Sequence, residues 1–277
     1  MTFKPLRVAV ALAGAFALTA AVAPTASAST GSWTESATSY TGSLTGGEGL
    51  ASRADGSLLF RGLASIPVAL RVKGWNHIGD PDIAQGDTFD AYQGGDGATS
   101  KMYAVTTSDG RRYEYVHQLD PGEKLNNSFA TVSPDTQWLV SGEWGDQDRL
   151  QVFPTPLLNP ATPRTGGALA QAGQITLDRT VTDIQACDFV SGTRLVCVSD
   201  DAGKDLLQVD LPHALDGTAV TGTVTTLLQL PTRSICSGTF EAEGVDYAAD
   251  SGTLRAEVVQ PGVCAVSTTV YSYSPGA

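Results

Sequence analysis

Short apolar runs separated by turn residues make up most of the chain. The stretches "SLLFRGLA", "KMYAVTTSDGRRYEYVHQL" and "TLRAEVVQ" each place β-branched or aromatic residues beside a turn rich in Gly, Asp and Ser. No long run shows the i, i+3, i+4, i+7 apolar spacing of an amphipathic helix. Many short strands with regular turn signals predict an all-β sandwich, barrel or propeller.

An internal repeat narrows the choice between these architectures. Residues 133–153 align without gaps on residues 190–210, so that turn falls on turn and strand on strand, with five of 21 positions identical. Repeats of about 40 to 50 residues with three or four strands each are typical of propeller blades. Five hairpin turns fit such units: Asp55-Gly56, Gln85-Gly86, Asp135-Thr136, Ser191-Gly192 and Ser251-Gly252. We therefore predict a single β-propeller of about five blades, with six blades or a β-sandwich as alternatives.

Local features refine the propeller prediction. The first interval between turns is the shortest, so we expect the first blade to lack an outer strand. The run 63–72, "LASIPVALRV", is apolar on both faces and is expected to be a strand buried between neighbouring blades. Residues 33–40 are expected to pair with the C-terminal strand "STTVYSY", which would complete the last blade and close the ring.

The N-terminal residues predict export. Lys4 and Arg7 precede an almost wholly apolar run at 8–23, and Ala26-Ser27-Ala28 forms an A-x-A cleavage pattern. The apolar run is shorter than the roughly 20 residues that span a bilayer. We expect residues 1–28 to be a signal peptide, residues 29–277 to be the propeller domain, and the protein to be secreted and extracellular. An uncleaved membrane anchor is the alternative.

The charge of the chain excludes some classes of partner. The formal net charge is −12, and removal of residues 1–28 takes away two positive charges and leaves −14. Such a surface repels phosphate backbones and anionic lipids, so neither nucleic acid nor a membrane is an expected partner. We expect a monomer that meets an unknown extracellular ligand, a glycan or a protein.

Four cysteines in an exported chain predict two disulfides, for which three pairings exist. Cys187 and Cys197 lie symmetrically about Gly192 in "ACDFVSGTRLVC". Directly opposite positions of such a hairpin lie about 4.5–5.5 Å apart at Cα, which suits a disulfide. Cys236 and Cys264 then pair by elimination.

Several short motifs resemble known propeller repeats. The hairpin "FATVSPDTQWLVSG" is similar to those of TolB-type and WD-like propellers, with Thr136 where these usually carry Gly. The motifs "GEGLA" and "EGVDY" resemble inner strands of gluconolactonase, regucalcin and NHL propellers. The exported chain as a whole resembles uncharacterised secreted proteins of actinobacteria. These resemblances imply the fold, and a fold does not by itself imply a function.

Polar residues recur where the inner strand of each predicted blade begins. In a propeller these strands line the central channel, so we expect the residues to gather near one channel mouth. The channel-binding candidates are Glu48, His77, Asp80, Asp82, Asn126, Asn127, Asp183, Gln185, Glu241 and Glu243. Solvated or structural strand ends are the first interpretation of this pattern, a cation site is the second, and catalysis is the third.

A calcium ion is the one cofactor that the pattern suggests. Members of the gluconolactonase family hold calcium with Glu, Asn and Asp of their inner strands, which by resemblance implies Glu48, Asn126, Asp183 and Glu243 as ligands. Calcium takes six to eight oxygen ligands, and these residues supply oxygen. Zinc is not predicted, because the three histidines show no close-spaced ligand motif.

The sequence favours a binding module over an enzyme. It contains no G-x-S-x-G, P-loop or G-x-G-x-x-G motif. The alternative is a calcium-dependent hydrolase, either lactonase-like or glycosidase-like. "DPDI" is similar to an Asp-Pro motif of arabinanase-type propellers, which would pair Asp80 or Asp82 with Glu243 as acid and base. Trp144, near a loop, is a candidate to stack on a sugar ring, with core packing as the first interpretation.

Overall fold

A computed structural model describes residues 32–125 and 129–276, in which strands are the dominant element. The predicted signal peptide, residues 1–28, lies outside the described residues. Two short α-helices and two 3₁₀ turns accompany the strands: α1 Ser43–Gly46, α2 Val68–Val72, and the turns Leu63–Ser65 and Gly262–Cys264. The all-β class is therefore confirmed.

The strands are numbered in chain order. They are β1 Trp33–Gly42, β2 Gly49–Ser52, β3 Leu58–Arg61, β4 His77–Ile78, β5 Asp82–Ala84, β6 Asp87–Gln93, β7 Ser100–Thr106, β8 Arg112–Gln118, β9 Thr131–Val132, β10 Trp138–Ser141, β11 Asp146–Pro154, β12 Gly167–Ala168, β13 Gly173–Thr182, β14 Ile184–Ser191, β15 Arg194–Ser199, β16 Asp205–Asp210, β17 Val220–Gln229, β18 Glu241–Ala248, β19 Thr253–Val259 and β20 Ser267–Pro275.

The strands form five antiparallel units around a ring. In order, the units are β2–β3, then β4 and β5 with β6–β7–β8, then β9–β10–β11–β13, then β14–β15–β16–β17, and last β18–β19–β20–β1. The innermost strands β2, β5, β9, β14 and β18 contact one another in this order, and β18 contacts β2 again. A closed ring of inner strands with each sheet running outward is a propeller, as predicted.

The units are not five separate sheets. Strand β13 pairs in parallel with β17, which joins the third and fourth units into one eight-stranded sheet. The connection between β11 and β13 returns to the second unit and adds β12 in parallel to β8. Neither contact joins strands that follow one another in the chain.

The N- and C-terminal strands close the ring together. Strand β1 pairs antiparallel with β20 from Trp33 opposite Pro275 to Gly42 opposite Ser267. The ring of Trp33 also packs edge-on against Tyr247 of β18, with centroids 6.2 Å apart. The predicted completion of the last unit by an N-terminal strand is confirmed.

The first unit contains only the hairpin β2–β3, in agreement with its short interval in the sequence. The prediction of a strand over residues 63–72 is wrong, because these residues form a 3₁₀ turn and helix α2. Pro67 directly precedes α2, a position where its missing N–H is not needed. Ile66 and Leu70 are buried against Tyr92 of the second unit. A short apolar run does not distinguish a buried strand from a buried helix.

The hydrophobic core lies between neighbouring units. Tyr103 of β7 meets Phe153 of β11 with ring centroids 5.2 Å apart, and both side chains are fully buried. Large aromatic side chains in this position bury apolar area on both sheets at once. The apolar side chains thus hold the units together, and polar groups are left to line much of the ring interior.

Both predicted disulfides are present. Cys187 of β14 lies directly opposite Cys197 of β15, with Cα atoms 4.0 Å apart, and the second bridge joins Cys236 to Cys264. No free cysteine is found among the described residues. Disulfides persist in oxidising compartments, so the two bridges fit an exported protein.

Candidate functional site

A cavity of about 510 Å³ opens where the inner strands begin. We call it the acidic mouth. Five of the predicted channel residues line it together: Glu48, His77, Gln185, Glu241 and Glu243. Glu48 directly precedes β2, His77 begins β4, and Gln185 is the second residue of β14. Glu241 and Glu243 are the first and third residues of β18. Four units therefore contribute a polar side chain to one opening.

Other lining residues come from loops that the alignment of inner strands does not reach. Asp96 lies between β6 and β7, and Asp200 directly follows β15. Trp144 lies between β10 and β11 and keeps 45% of its surface exposed. Of these three residues, only Trp144 could be picked out from the sequence as a candidate, because it is a large aromatic residue among Gly, Glu and Asp.

His77 forms an ion pair with Glu48 across the acidic mouth. Its Nε2 lies 3.0 Å from Glu48 Oε2, and the pair is charged when the ring is protonated. The histidine is thus committed to a carboxylate of the neighbouring unit. This contact agrees with a structural histidine better than with a metal ligand.

Glu243 is the most deeply placed acid of the mouth. Its side chain lines the cavity, is only 9% exposed, and makes no hydrogen bond with any described residue. Burial raises the pKa of this carboxyl well above its ordinary range, and the nearby Glu48, Asp200 and Glu241 raise it further. Glu243 therefore keeps its proton at a pH where a surface glutamate is ionised.

Glu241 lies beside it at a more exposed position. Burial is again the largest cause that raises its pKa, followed by Asp200 and Glu48, while Lys204 acts in the opposite direction. Asp200 is held by Lys204, with Nζ 2.8 Å from Oδ1, and it also accepts a hydrogen bond from Ala242 N. Lys204 is thus already paired with one carboxylate.

Glu257 extends the acidic group into the channel wall. It belongs to β19, is completely buried, and has no well-formed hydrogen bond among the described residues, although the Gly49 amide lies close. Burial and then Glu48 raise its pKa well above the ordinary range. Its side chain passes over Gly244, where an added Cβ would come within 2.9 Å of Oε2. Glu257 leaves no signal in the sequence, because one acid in the run "AEVVQ" has the pattern of an outward-facing strand position.

The stretch "WNHIGDPDI" places its three candidates at three depths of the channel. His77 is at the acidic mouth, whereas Asp80 is 2% exposed in the wall and accepts a hydrogen bond from Leu50 N at 2.9 Å. Burial raises the pKa of Asp80 well above its usual value, against the effect of the Leu50 amide. Gly49 allows this approach, since its φ is +148° and a Cβ there would clash with Asp80.

Asp82 lies at the opposite mouth of the channel. It is five positions after His77 in the chain, and a strand rises about 3.3 Å per residue, which gives about 16 Å. The opposite mouth is a cavity of about 1080 Å³ that also exposes Asp188 and Asp246. Burial, and to a smaller extent Asp246, raises the pKa of Asp82 to about 6, although it accepts a hydrogen bond from Val132 N.

The aspartates of the channel join neighbouring inner strands. Asp188 of β14 accepts a hydrogen bond from Tyr247 N of β18, and Asp246 of β18 accepts one from Ser52 N of β2, both at 2.6 Å. The bonds from Val132 N to Asp82 and from Leu50 N to Asp80 have the same form. These carboxylates satisfy backbone donors between units, which is a structural role.

The remaining candidates are not at the acidic mouth. Asp183 accepts a hydrogen bond from Gly145 N at 2.7 Å and lines neither cavity. Asn126 and Asn127 lie outside the described residues. The described members of the calcium set, Glu48, Asp183 and Glu243, therefore do not come together, and calcium stays a prediction.

In the described ranges, 32–125 and 129–276, one cluster of side chains has ligand atoms spaced closely enough to bind a metal ion. Ligand atoms of His117, Asp120 and Glu123 lie within 4.8 Å of one another. However, His117 Nε2 lies 2.9 Å from Glu123 Oε2, and Lys101 Nζ lies 3.1 Å from Glu123 Oε1. Burial opposes ionisation of Glu123, but His117 and Lys101 outweigh it and lower its pKa to about 2. The group is a buried ion-pair network whose cation is a lysine.

Comparisons with known proteins leave the family open. No protein-family model and no curated protein matches the chain. A chain in a crystal structure of the mitotic checkpoint complex is similar at 10% identity and a TM-score of 0.38, with 94% of this chain and 98% of that chain covered. Native arabinanase from Bacillus subtilis is similar at 9% identity and a TM-score of 0.37, with 88% and 93% covered. None of the helices in the described residues is long and apolar enough to cross a membrane.

Proposed function

We propose that the chain is a secreted, monomeric propeller that binds an extracellular ligand, a glycan or a protein, at the acidic mouth. The observation that supports this most is Glu243, a carboxyl that is nine-tenths buried, faces the cavity and has no described hydrogen-bond partner. Buried polar groups are normally satisfied, so an unsatisfied one that faces a cavity indicates a missing partner.

The rim of the mouth supports the same proposal. Trp144 is 45% exposed beside the carboxyls, and an exposed indole is a surface on which a sugar ring or a cation stacks. The cavity of about 510 Å³ falls within the range of small-molecule sites. Because the carboxyls of the mouth come from several units, a bound ligand would contact several units at once.

A hydrolase is the second candidate, and Glu243 is the observation that favours it. A carboxyl whose pKa is raised well above its ordinary range by burial is suited to general acid catalysis, since it can donate its proton to a leaving group. Its partner would be Glu48 or Asp200 at the same mouth. Asp80 and Asp82, the partners expected from the sequence, are bonded to backbone amides away from this cavity.

Thermal unfolding of the purified chain with a ligand panel tests the proposal. The panel contains calcium chloride against EDTA, soluble oligosaccharides, lactones and basic peptides, and a ligand at 100 times its Kd adds about 2.7 kcal/mol of stability. We expect at least one ligand to raise the midpoint temperature of unfolding of the parent chain. The rise should be smaller in Trp144→Ala and Glu243→Gln and the same in the exposed control Asp148→Asn. Turnover that Glu243→Gln abolishes while binding persists would establish the hydrolase instead, and no midpoint shift with any ligand would contradict both.

A further inference from the structure

We infer that the group bound at the acidic mouth is an organic ammonium, the side chain of a lysine or a small alkylamine. The inference rests on the proposed function, because it names the ligand class of the same site. It concerns only the group that reaches Glu243, whichever molecule carries that group.

The balance of charges at the mouth is the first argument. Five acids line the cavity: Glu48, Asp96, Asp200, Glu241 and Glu243. His77 is the one basic side chain among the described lining residues, and it pairs with Glu48. Lys204 lies nearby and pairs with Asp200. The other three acids make no ion pair with a described residue, so the site lacks positive charge rather than polar groups.

The state of Glu243 is the second argument. Ionisation of a buried carboxyl is costly unless a cation or several hydrogen-bond donors accompany it. The described neighbours of Glu243 supply neither, and they add negative charge instead. A neutral sugar offers hydroxyl donors but no charge, whereas an ammonium offers three donors and the charge together. An ammonium therefore supplies both the positive charge and the hydrogen-bond donors that an ionised Glu243 lacks.

Geometry distinguishes an organic cation from a bare metal ion. Calcium needs six to eight oxygens at 2.3–2.6 Å, which brings those oxygens within about 5 Å of one another. Among the residues that the structure describes, no three acids of the mouth meet even a 4.8 Å limit. The cavity of about 510 Å³ has room for an alkyl chain as well as its ammonium. Trp144 at the rim offers a ring face for a cation–π contact.

Calorimetric titration of the purified chain with N-α-acetyl-lysine amide tests the inference. The control ligand, N-α-acetyl-norleucine amide, has a similar chain but no charge. We expect only the lysine derivative to bind, with release of a proton, because Glu243 ionises when the ammonium arrives. The affinity should then rise by up to about tenfold per pH unit until the carboxyl is ionised in the free protein. Pentylamine and a lysine-containing peptide, compared in parallel, show whether the small amine suffices.

Variants assign the effect to the site. Glu243→Gln should weaken the lysine derivative at least about tenfold and abolish proton release, while Asp148→Asn should bind like the parent chain. If Glu243→Gln fails to fold, proton release by the parent chain and weaker binding by Trp144→Ala remain as readouts. Binding of the lysine derivative without proton release, or equal binding by Glu243→Gln, overturns the assignment.

Two further outcomes separate this inference from the proposed function. Calcium or a neutral oligosaccharide that binds at the mouth, when the lysine derivative does not, overturns the ammonium and leaves the binding function in place. If no ligand class binds and Trp144→Ala and Glu243→Gln change nothing except stability, the proposed function fails as well.

Discussion

Individual carboxyls of the channel differ in what they are bonded to, and this difference separates candidate function from structure. Asp80 and Asp246 accept backbone hydrogen bonds from a neighbouring unit. Glu243 and Glu257 have no well-formed bond of this kind to a described residue, and burial raises the pKa of both well above the ordinary range. Only Glu243 of these two faces a cavity. It is therefore the residue on which a ligand would have the largest effect.

Glu257 provides a prediction at this scale. A buried acid with a raised pKa stabilises the fold below its unfolded pKa of about 4.3, and this contribution is lost as the pH rises toward the folded value. Glu257→Gln keeps the size and shape of the side chain but removes the group that titrates. We expect the variant and the parent chain to have similar free energies of unfolding at pH 4.5. At pH 7.5 the variant should be the more stable, by about 1.4 kcal/mol for each pH unit between the unfolded and the folded pKa of Glu257 that the pH has passed. Urea unfolding at both pH values measures this, and an equal loss at both would contradict it.

Part of the site could be predicted residue by residue. Glu48, His77, Gln185, Glu241 and Glu243 all lie within about two residues of the aligned position before their hairpin turns, and the cavity brings them together. The depth of a residue along its strand was harder to predict, because a strand advances about 3.3 Å with each residue. A candidate only a few positions downstream, such as Asp82, therefore lies at the other mouth.

At the scale of elements, neighbouring inner strands are joined by aspartates as well as by apolar packing. Asp246 of β18 accepts hydrogen bonds from Ser52 N and Ser52 Oγ of β2, each at 2.6 Å. It also pairs with Arg255 of β19 at 2.8 Å. The contact connects the last unit to the short first unit, which has only two strands to hold it in the ring.

Removal of Asp246 should therefore destabilise the ring. Asp246→Ala leaves Arg255 without its carboxylate and Ser52 N without its acceptor, and loss of one partner of a buried ion pair costs about 3–5 kcal/mol. The exposed control Asp148→Ala should stay within about 0.5 kcal/mol of the parent. Urea unfolding compares the three chains, and a loss for Asp246→Ala as small as for the control would refute the joining role.

The Cys236–Cys264 disulfide ties a loop next to β18 to the end of the 3₁₀ turn before β20. The cysteines are 28 residues apart, and closure of a loop of that length in the unfolded chain corresponds to about 3–4 kcal/mol. We expect the double variant Cys236→Ser and Cys264→Ser to lose about this much stability at neutral pH. Denaturant unfolding of both chains without reductant checks it, and an unchanged midpoint would show that the bridge does not constrain the unfolded state.

The elements themselves were predictable where local signals act. Turn residues mark all five inner hairpins, and the symmetry about Gly192 correctly predicts the cysteine pair of β14 and β15. Helix α2 and the parallel pairing of β13 with β17 were not predictable. The helix is stabilised by burial of Leu70 against another unit, and the pairing joins strands distant in sequence, so neither leaves a local pattern.

For the whole molecule, the buried acids set the dependence of stability on pH. Between roughly pH 4 and their raised pKa values, the folded chain binds more protons than the unfolded chain. The described acids with raised pKa are Asp80, Asp82, Asp188, Asp200, Glu241, Glu243 and Glu257, and that of Asp82 is raised to about 6. Stability should therefore fall as the pH rises from about 4.5 through 6 and beyond.

The loss of stability at low pH comes from Glu123, whose pKa is lowered to about 2. Its contribution is present above its unfolded pKa and is lost as the pH falls toward 2. Together the two effects predict a stability maximum in mildly acidic solution, near pH 4 to 5. Urea unfolding at pH 3, 4.5, 6 and 7.5 measures the profile, and a free energy of unfolding that rises steadily from pH 4.5 to 7.5 would contradict it.

Glu243 is, on this proposal, a carboxyl at the acidic mouth whose negative charge is balanced only when a cation binds. The most direct test is a titration of that carboxyl by carbon-13 NMR, with Glu243→Gln to assign its signal, in the presence and absence of saturating N-α-acetyl-lysine amide. We predict a pKa well above the usual range of a glutamate in the free chain and a lower pKa in the complex. A free Glu243 that titrates like a surface glutamate, or a pKa that the amine leaves unchanged, would contradict the account.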